Sequence, residues 1–218
     1  MGLMGRHVID LILVLVLLLS FLVLGSSRLS AGIRAVALQG ALLGTLPLLL
    51  PNGGWTMHIL GLSLGMLSLK GVLFPRLLFR AIRETSMRRE MDPLIGFTAS
   101  LLAGAIVTVI AFLLASRLPS LPTMISPLLV PSALATILLS LVVLVSRTKA
   151  LTQVLGYLML ENGIFIFGLA LLHAMPFLIE LGVLLDLFVG VFVMGIVVYH
   201  INREFDHIDS YHLTMLKD

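Results

Sequence analysis

The chain has 218 residues, 59% of them hydrophobic and 11% charged, and a mean hydropathy of +1.15. That balance belongs to an integral membrane protein and not to a soluble domain. The absence of cysteine excludes disulfides, a thiolate-ligated metal centre, a cysteine-held iron–sulfur cluster and a cysteine nucleophile.

Stretches long and apolar enough to cross a hydrocarbon core of about 30 Å as helices lie at 8–25, 33–50, 56–75, 94–116, 127–145, 151–172 and 178–200. They predict an all-α polytopic membrane bundle of about seven transmembrane helices. The whole of 1–218 reads as a single membrane domain, with a four-helix part at 1–116 and a three-helix part at 127–218. The first span, "HVIDLILVLVLLLSFLVLGSS", has Arg6 at its start and could pass for a signal peptide. Its length, and the charge alternation described below, favour a retained helix. Asp10 sits near the start of that helix, where the dipole favours a carboxylate and a structural role suffices. "PNGG" at Pro51, "LPSLPT" at Leu118 and "HAMP" at His173 are short turn-prone connectors.

One sizeable loop interrupts the series, "PRLLFRAIRETSMRREMD" from Pro75 to Asp92. Arg76, Arg80 and Arg83 recur there at helical spacing among Leu77, Leu78, Phe79 and Ile82, which predicts a basic amphipathic piece lying on the membrane surface against anionic lipid headgroups. Docking of a cytoplasmic partner subunit is the other use for it.

Basic residues test the seven-span reading. One side carries Arg6 and Arg117; the other carries Arg28, Arg34, Arg76, Arg80, Arg83, Arg88, Arg89, Arg147, Lys149, Arg203 and Lys217, with Lys70 left inside a span. Two against eleven places the N-terminus outside and the C-terminus in the cytoplasm by the positive-inside rule. The pI near 9.7 is then a topology signal, and no nucleic-acid partner is expected.

Polar residues within the spans are the functional candidates, because a charge at a bilayer centre costs on the order of 3 kcal/mol on insertion scales. Glu161, in "LGYLMLENGIFIFGLAL", falls at the middle of the sixth span and cannot reach water. A carboxylate placed there can gain or lose a proton as its surroundings change; the bland alternative is a protonated side chain bonded to a neighbouring helix. Gln153 and Tyr157, eight and four residues earlier, predict a polar stripe on the same face. Asp186 lies inside the seventh span, between Gly182 and Gly190 on a stripe of small residues that lets a neighbouring helix or water come close. Glu180 lies near the outer end of that span, where it can be a wetted surface group. Lys70, in "LGMLSLKGVLFP", either snorkels toward the cytoplasm or is a partly buried titratable lysine.

Three acids and a lysine in an apolar bundle are the usual ingredients of a proton or ion pathway, and the residues that supply them carry a resemblance. "GYLMLENGIF" and "ELGVLLDLFVGVFVMGI", within Ser146 to Asp209, resemble the hydrogenase-4 component E family, membrane subunits of formate hydrogenlyase and related group 4 [NiFe] hydrogenases. The N-terminal half agrees in span layout and in "LKGVLFP". That family is in turn similar to the three-helix K-type subunit of complex I and to its counterpart in Mrp cation/proton antiporters, in which carboxylates on successive helices line a lateral polar axis. The resemblance implies that Glu161 and Asp186 stand for those carboxylates, although Asp186 is an aspartate in a slightly displaced register. It also implies a multi-pass subunit of the cell inner membrane with no catalytic site or cofactor of its own. Its partners would be antiporter-like and other membrane subunits, membrane lipids, and a cytoplasmic hydrogenase arm carrying the nickel–iron and iron–sulfur centres. Glu161, Asp186 and Lys70 would carry protons, or Na⁺, coupled to that arm.

Rival readings are thinner. A haem anchor would need paired axial histidines, for which only His58 and His173, both at outer helix ends, are placed. His200, His207 and His212 with Asp206 and Asp209 suggest a metal site less readily than a solvated tail. A retinal protein would need a lysine in the last span, and a free-standing transporter would show inverted repeats. A subunit of an Mrp-type antiporter, or a plain membrane scaffold, are the alternatives that survive.

Overall fold

The computed structural model describes residues 3–49, 57–84, 95–118 and 126–170, together with Gly195. Apart from short connectors these residues are helical, and among them there is no strand: α1 (Leu3–Gly25), α2 (Leu29–Leu49), α3 (Met57–Ser68), a π-helical turn (Leu69–Leu73), α4 (Phe74–Glu84), α5 (Phe97–Arg117), α6 (Leu129–Ser146) and α7 (Ala150–Ala170). Runs of Leu, Val, Ile and Ala give helices that satisfy their own backbone groups, as a bilayer requires. Five of them, Gly5–Gly25, Leu29–Leu49, Phe97–Arg117, Leu129–Ser146 and Leu151–Ala170, are long and apolar enough to span. The chain is a multi-pass membrane protein. The expected third span falls on α3 and the π turn, and the expected seventh, 178–200, lies outside the described residues apart from Gly195.

Helix α7 makes its most extensive contact with α6. Gly163 is what permits it: a Cβ there would stand 2.7 Å from Ile137 Cγ1 and 2.9 Å from the Ile137 nitrogen, so only glycine allows the two backbones so close. Around this pair sit α1, α2 and α4, which contribute Val23, Val36, Phe74 and Leu78 to a core shared with Val154 and Leu158 of α7. Helix α5 packs on α6 and α1 but leaves most of its length exposed, Leu102, Ile106, Val109 and Leu113 among it, a surface suited to lipid.

Two polar contacts fix the ends of the bundle. At one end the Ser126 hydroxyl donates to the Asp10 carboxylate, which joins the starts of α1 and α6. At the other, Arg147 is buried between α6 and α7; its Nη2 donates to the Leu24 carbonyl and its guanidinium lies 5.1 Å from the Phe97 ring centre. A cation is favoured there because the last carbonyls of α1 have no N–H partner within the helix and carry the negative end of its dipole. Desolvation by burial lowers the Arg147 pKa from its ordinary value. Arg147 thus does more than mark a side of the membrane, because it ties α1, α5 and α6 together. Helix connectivity brings Arg28, Arg34, Arg80, Arg83 and Lys149 to this same, basic end.

The basic segment after Pro75 departs from expectation. Its first part, α4, continues the π turn without a break, and its apolar face is taken up by the protein: Phe74, Leu78 and Ala81 are buried while Arg76, Arg80 and Arg83 are exposed. An amphipathic helix finds a partner for its apolar stripe wherever one is within reach, and here the stripe packs on α2 and into the core shared with α7. Residues 85–94 of the segment lie outside the described residues.

Candidate functional site

The centre of the bundle is polar, and it is built from three local features. In "LKGVLFP", Pro75 has no N–H to offer the carbonyl four residues back, and its ring crowds that carbonyl. The helix responds with a wider turn just before it, in which the Phe74 N–H reaches back to the Leu69 carbonyl. π turns of this kind recur at functional sites, and this one carries Lys70. Gly40 on α2 is the second feature. A Cβ at that position would lie 2.6 Å from Lys70 Cβ, so the glycine makes room for the lysine stem. The third is the Glu161–Asn162 dipeptide near the middle of α7, about 16 Å along the axis from the start of that helix at 1.5 Å per residue.

Lys70 Nζ stands 3.3 Å from Glu161 Oε1, with 4% and 1% of the two side chains exposed. It also donates to Asn162 Oδ1 at 3.0 Å. Asn162 Nδ2 in turn donates to Gln39 Oε1 at 3.1 Å. Gln39 Nε2 donates to Ser20 Oγ at 2.9 Å and to the Val16 carbonyl at 3.1 Å, and the Ser20 hydroxyl donates to the same carbonyl at 2.9 Å. Five buried polar side chains from α7, the π turn, α2 and α1 therefore form one connected network. A small cavity with room for about one water molecule touches Lys70 and Asn162 and runs toward the basic end between Val36, Phe74, Leu78 and Leu158.

Of the residues singled out in the sequence, the structure brings Glu161 and Lys70 together and leaves others apart. Lys70 does not snorkel, because its ammonium turns inward to the carboxylate. Tyr157 is 45% exposed and does not continue a stripe from Glu161. Gln153, half-buried in the first turns of α7, donates to the Arg147 carbonyl at 3.2 Å, a capping role at the basic end. The stripe fails because the face of α7 that carries Glu161 at mid-helix turns outward by Tyr157. Asp186, Glu180, His173 and the histidines and aspartates of the tail lie outside the described residues, as does the side chain of His58. Asn162, Gln39 and Ser20 are members of the network that ranking by charge passes over. The available signal was a glutamine at the middle of an apolar span, followed by Gly40.

Sequence comparisons find relatives of the chain. An uncharacterized protein of Mycobacterium tuberculosis is 33% identical over 202 residues, 92% of each chain. Hydrogenase-4 component E of Escherichia coli K12 is 32% identical over 149 residues, 68% of each chain, and the protein of that name from Shigella flexneri matches to the same extent. The chain belongs to the hydrogenase-4 component E family. No protein-family model and no solved structure matches it.

Proposed function

We propose that this chain is a membrane subunit of a group 4 [NiFe] hydrogenase or formate hydrogenlyase-type complex of the inner membrane, in which the Lys70–Glu161 pair takes part in proton translocation coupled to redox chemistry in partner subunits. The observation that carries the reading is the pair itself. An ion pair in a membrane core is costly to desolvate, and sequences that need only a scaffold have apolar residues available at both positions. When Glu161 takes up a proton, the Lys70 ammonium is left without its counter-charge in a low-dielectric site, and release of one proton from Lys70 restores neutrality. Uptake at one group and release at the other are thereby linked, and a change in the field from a partner subunit biases the exchange. The cavity beside Lys70 supports access for water from the basic end, which we assign to the cytoplasm. Asp186 on the next span is the candidate for the following station. Na⁺ is the alternative coupling ion.

Similarity to hydrogenase-4 component E of Escherichia coli favours a hydrogenase over an Mrp-type antiporter as the parent complex. The nickel–iron and iron–sulfur centres of such a complex belong to its cytoplasmic arm, and this chain would pack among antiporter-like subunits and lipid. The test is proton translocation during hydrogen-linked turnover in membranes carrying Glu161→Gln, with assembly checked by co-purification. Loss of translocation in an assembled complex is expected; translocation at the wild-type ratio contradicts the proposal.

A further inference from the structure

The amide chain beside the ion pair has a direction that follows from which groups can donate. Lysine has three N–H donors and no acceptor, so Asn162 must turn Oδ1 toward Lys70, which leaves Nδ2 for α2. Gln39 must then answer with Oε1, and both hydrogens of its Nε2 face α1. There they meet the Val16 carbonyl and the oxygen of Ser20, whose own proton is directed to that same carbonyl. Neither amide can flip without setting donor against donor at one end and acceptor against acceptor at the other. Carboxamides do not titrate near neutral pH, so the chain is not a route for protons. Its effect is to aim the oxygen end of the Asn162 dipole at Lys70.

We infer that Gln39 is a positioning residue that, through Asn162, holds a second, uncharged seat for the Lys70 ammonium beside Glu161. This inference rests on the reading of the Lys70–Glu161 pair given above. In the ion-paired state the ammonium has both Glu161 Oε1 and Asn162 Oδ1 within 3.3 Å. Once Glu161 is neutral, the amide oxygen keeps Lys70 in register, so that the proton that leaves does so from a defined place. Without the Gln39 oxygen, Asn162 Nδ2 is left buried with no acceptor, and the amide is drawn out of its place to find one, which moves Oδ1 off the ammonium and unseats it. A buried carboxamide on α2 is thus part of the coupling device although it never carries the proton.

The test compares Gln39→Met, similar in length but without an acceptor for Asn162, with Gln39→Glu, which in its protonated form offers one acceptor and one donor on the same frame. The quantity read is protons translocated per hydrogen turned over, in assembled complex in sealed membranes, because a merely structural fault lowers the amount of complex and not this ratio. Gln39→Met is expected to lower the ratio about ten-fold, the weight of one hydrogen bond to a charged group, and Gln39→Glu to retain most of it. If Gln39→Met does not assemble, the double variant Gln39→Leu/Asn162→Leu removes both polar partners together, which leaves neither amide unsatisfied, and the same loss of ratio is expected. A wild-type ratio in Gln39→Met or in the double variant overturns the inference, as does an equal loss in Gln39→Met and Gln39→Glu. Glu161→Gln measured alongside separates the two levels. If it abolishes translocation while Gln39→Met does not lower the ratio, only the role of Gln39 fails; if neither has an effect, the reading of the pair fails with it.

Discussion

At the scale of single residues, the account turns on how a membrane core treats a lone charge. Removing one member of a buried pair leaves the other uncompensated, at a cost of about 3–5 kcal/mol, whereas replacing both by apolar or neutral groups is close to neutral. Lys70→Met and Glu161→Gln should therefore each destabilise the chain by about that amount, and the double variant by much less than the sum. Denaturation midpoints of the purified protein in detergent check this, and additive losses would show that the pair is not coupled. Glu161 and Lys70 were both legible in the sequence, since a charge in an apolar run declares itself through its insertion cost. Their pairing was not, because they stand 91 positions apart in the chain and nothing in either span names the other. Gln39 and Ser20 were less visible still. A neutral amide or hydroxyl costs little enough in a helix to pass as tolerated, and Ser20 also satisfies itself on its own helix through the Val16 carbonyl.

At the scale of elements, hydrophobic length alone located the described spans to within a few residues, as with 127–145 against Leu129–Ser146. It could not show that the third span runs through a π turn into α4, because that depends on Pro75 and on what α4 finds to pack against. The close fit of α2 against that turn gives a sharp contrast between two glycines. Gly40→Ala would place a Cβ 2.6 Å from Lys70 Cβ and is expected to cost about 1–3 kcal/mol as overpacking. Gly65→Ala, where nothing lies within 4 Å, should be neutral or stabilising by about 0.5–1 kcal/mol through helix propensity. Thermal unfolding of the two variants side by side decides between this fit and a loose one; equal midpoints would mean that α2 and the π turn do not meet closely.

At the scale of the whole molecule, the ends of the helices sort into two sets, one tied by Ser126 to Asp10 and the other by Arg147 to Leu24 and Phe97. The second set holds most of the basic residues, which is the arrangement that the positive-inside rule assigns to the cytoplasm. The chain has no cysteine, so single cysteines report sidedness without background. Both Ser27, beyond the end of α1, and Ser116, near the end of α5, are exposed. An impermeant maleimide should label Ser116→Cys in intact cells and Ser27→Cys only after the membrane is opened; the reverse pattern would invert the topology and the direction of proton entry.

The central claim is that Glu161 changes its protonation state as the complex works, and infrared difference spectroscopy of the assembled complex during turnover tests it most directly. The account predicts a carbonyl band of a protonated carboxylic acid that appears or disappears with turnover in the wild type and is missing from Glu161→Gln. Identical difference spectra in this region for the two would contradict it, and would leave the Lys70–Glu161 pair as a fixed structural contact.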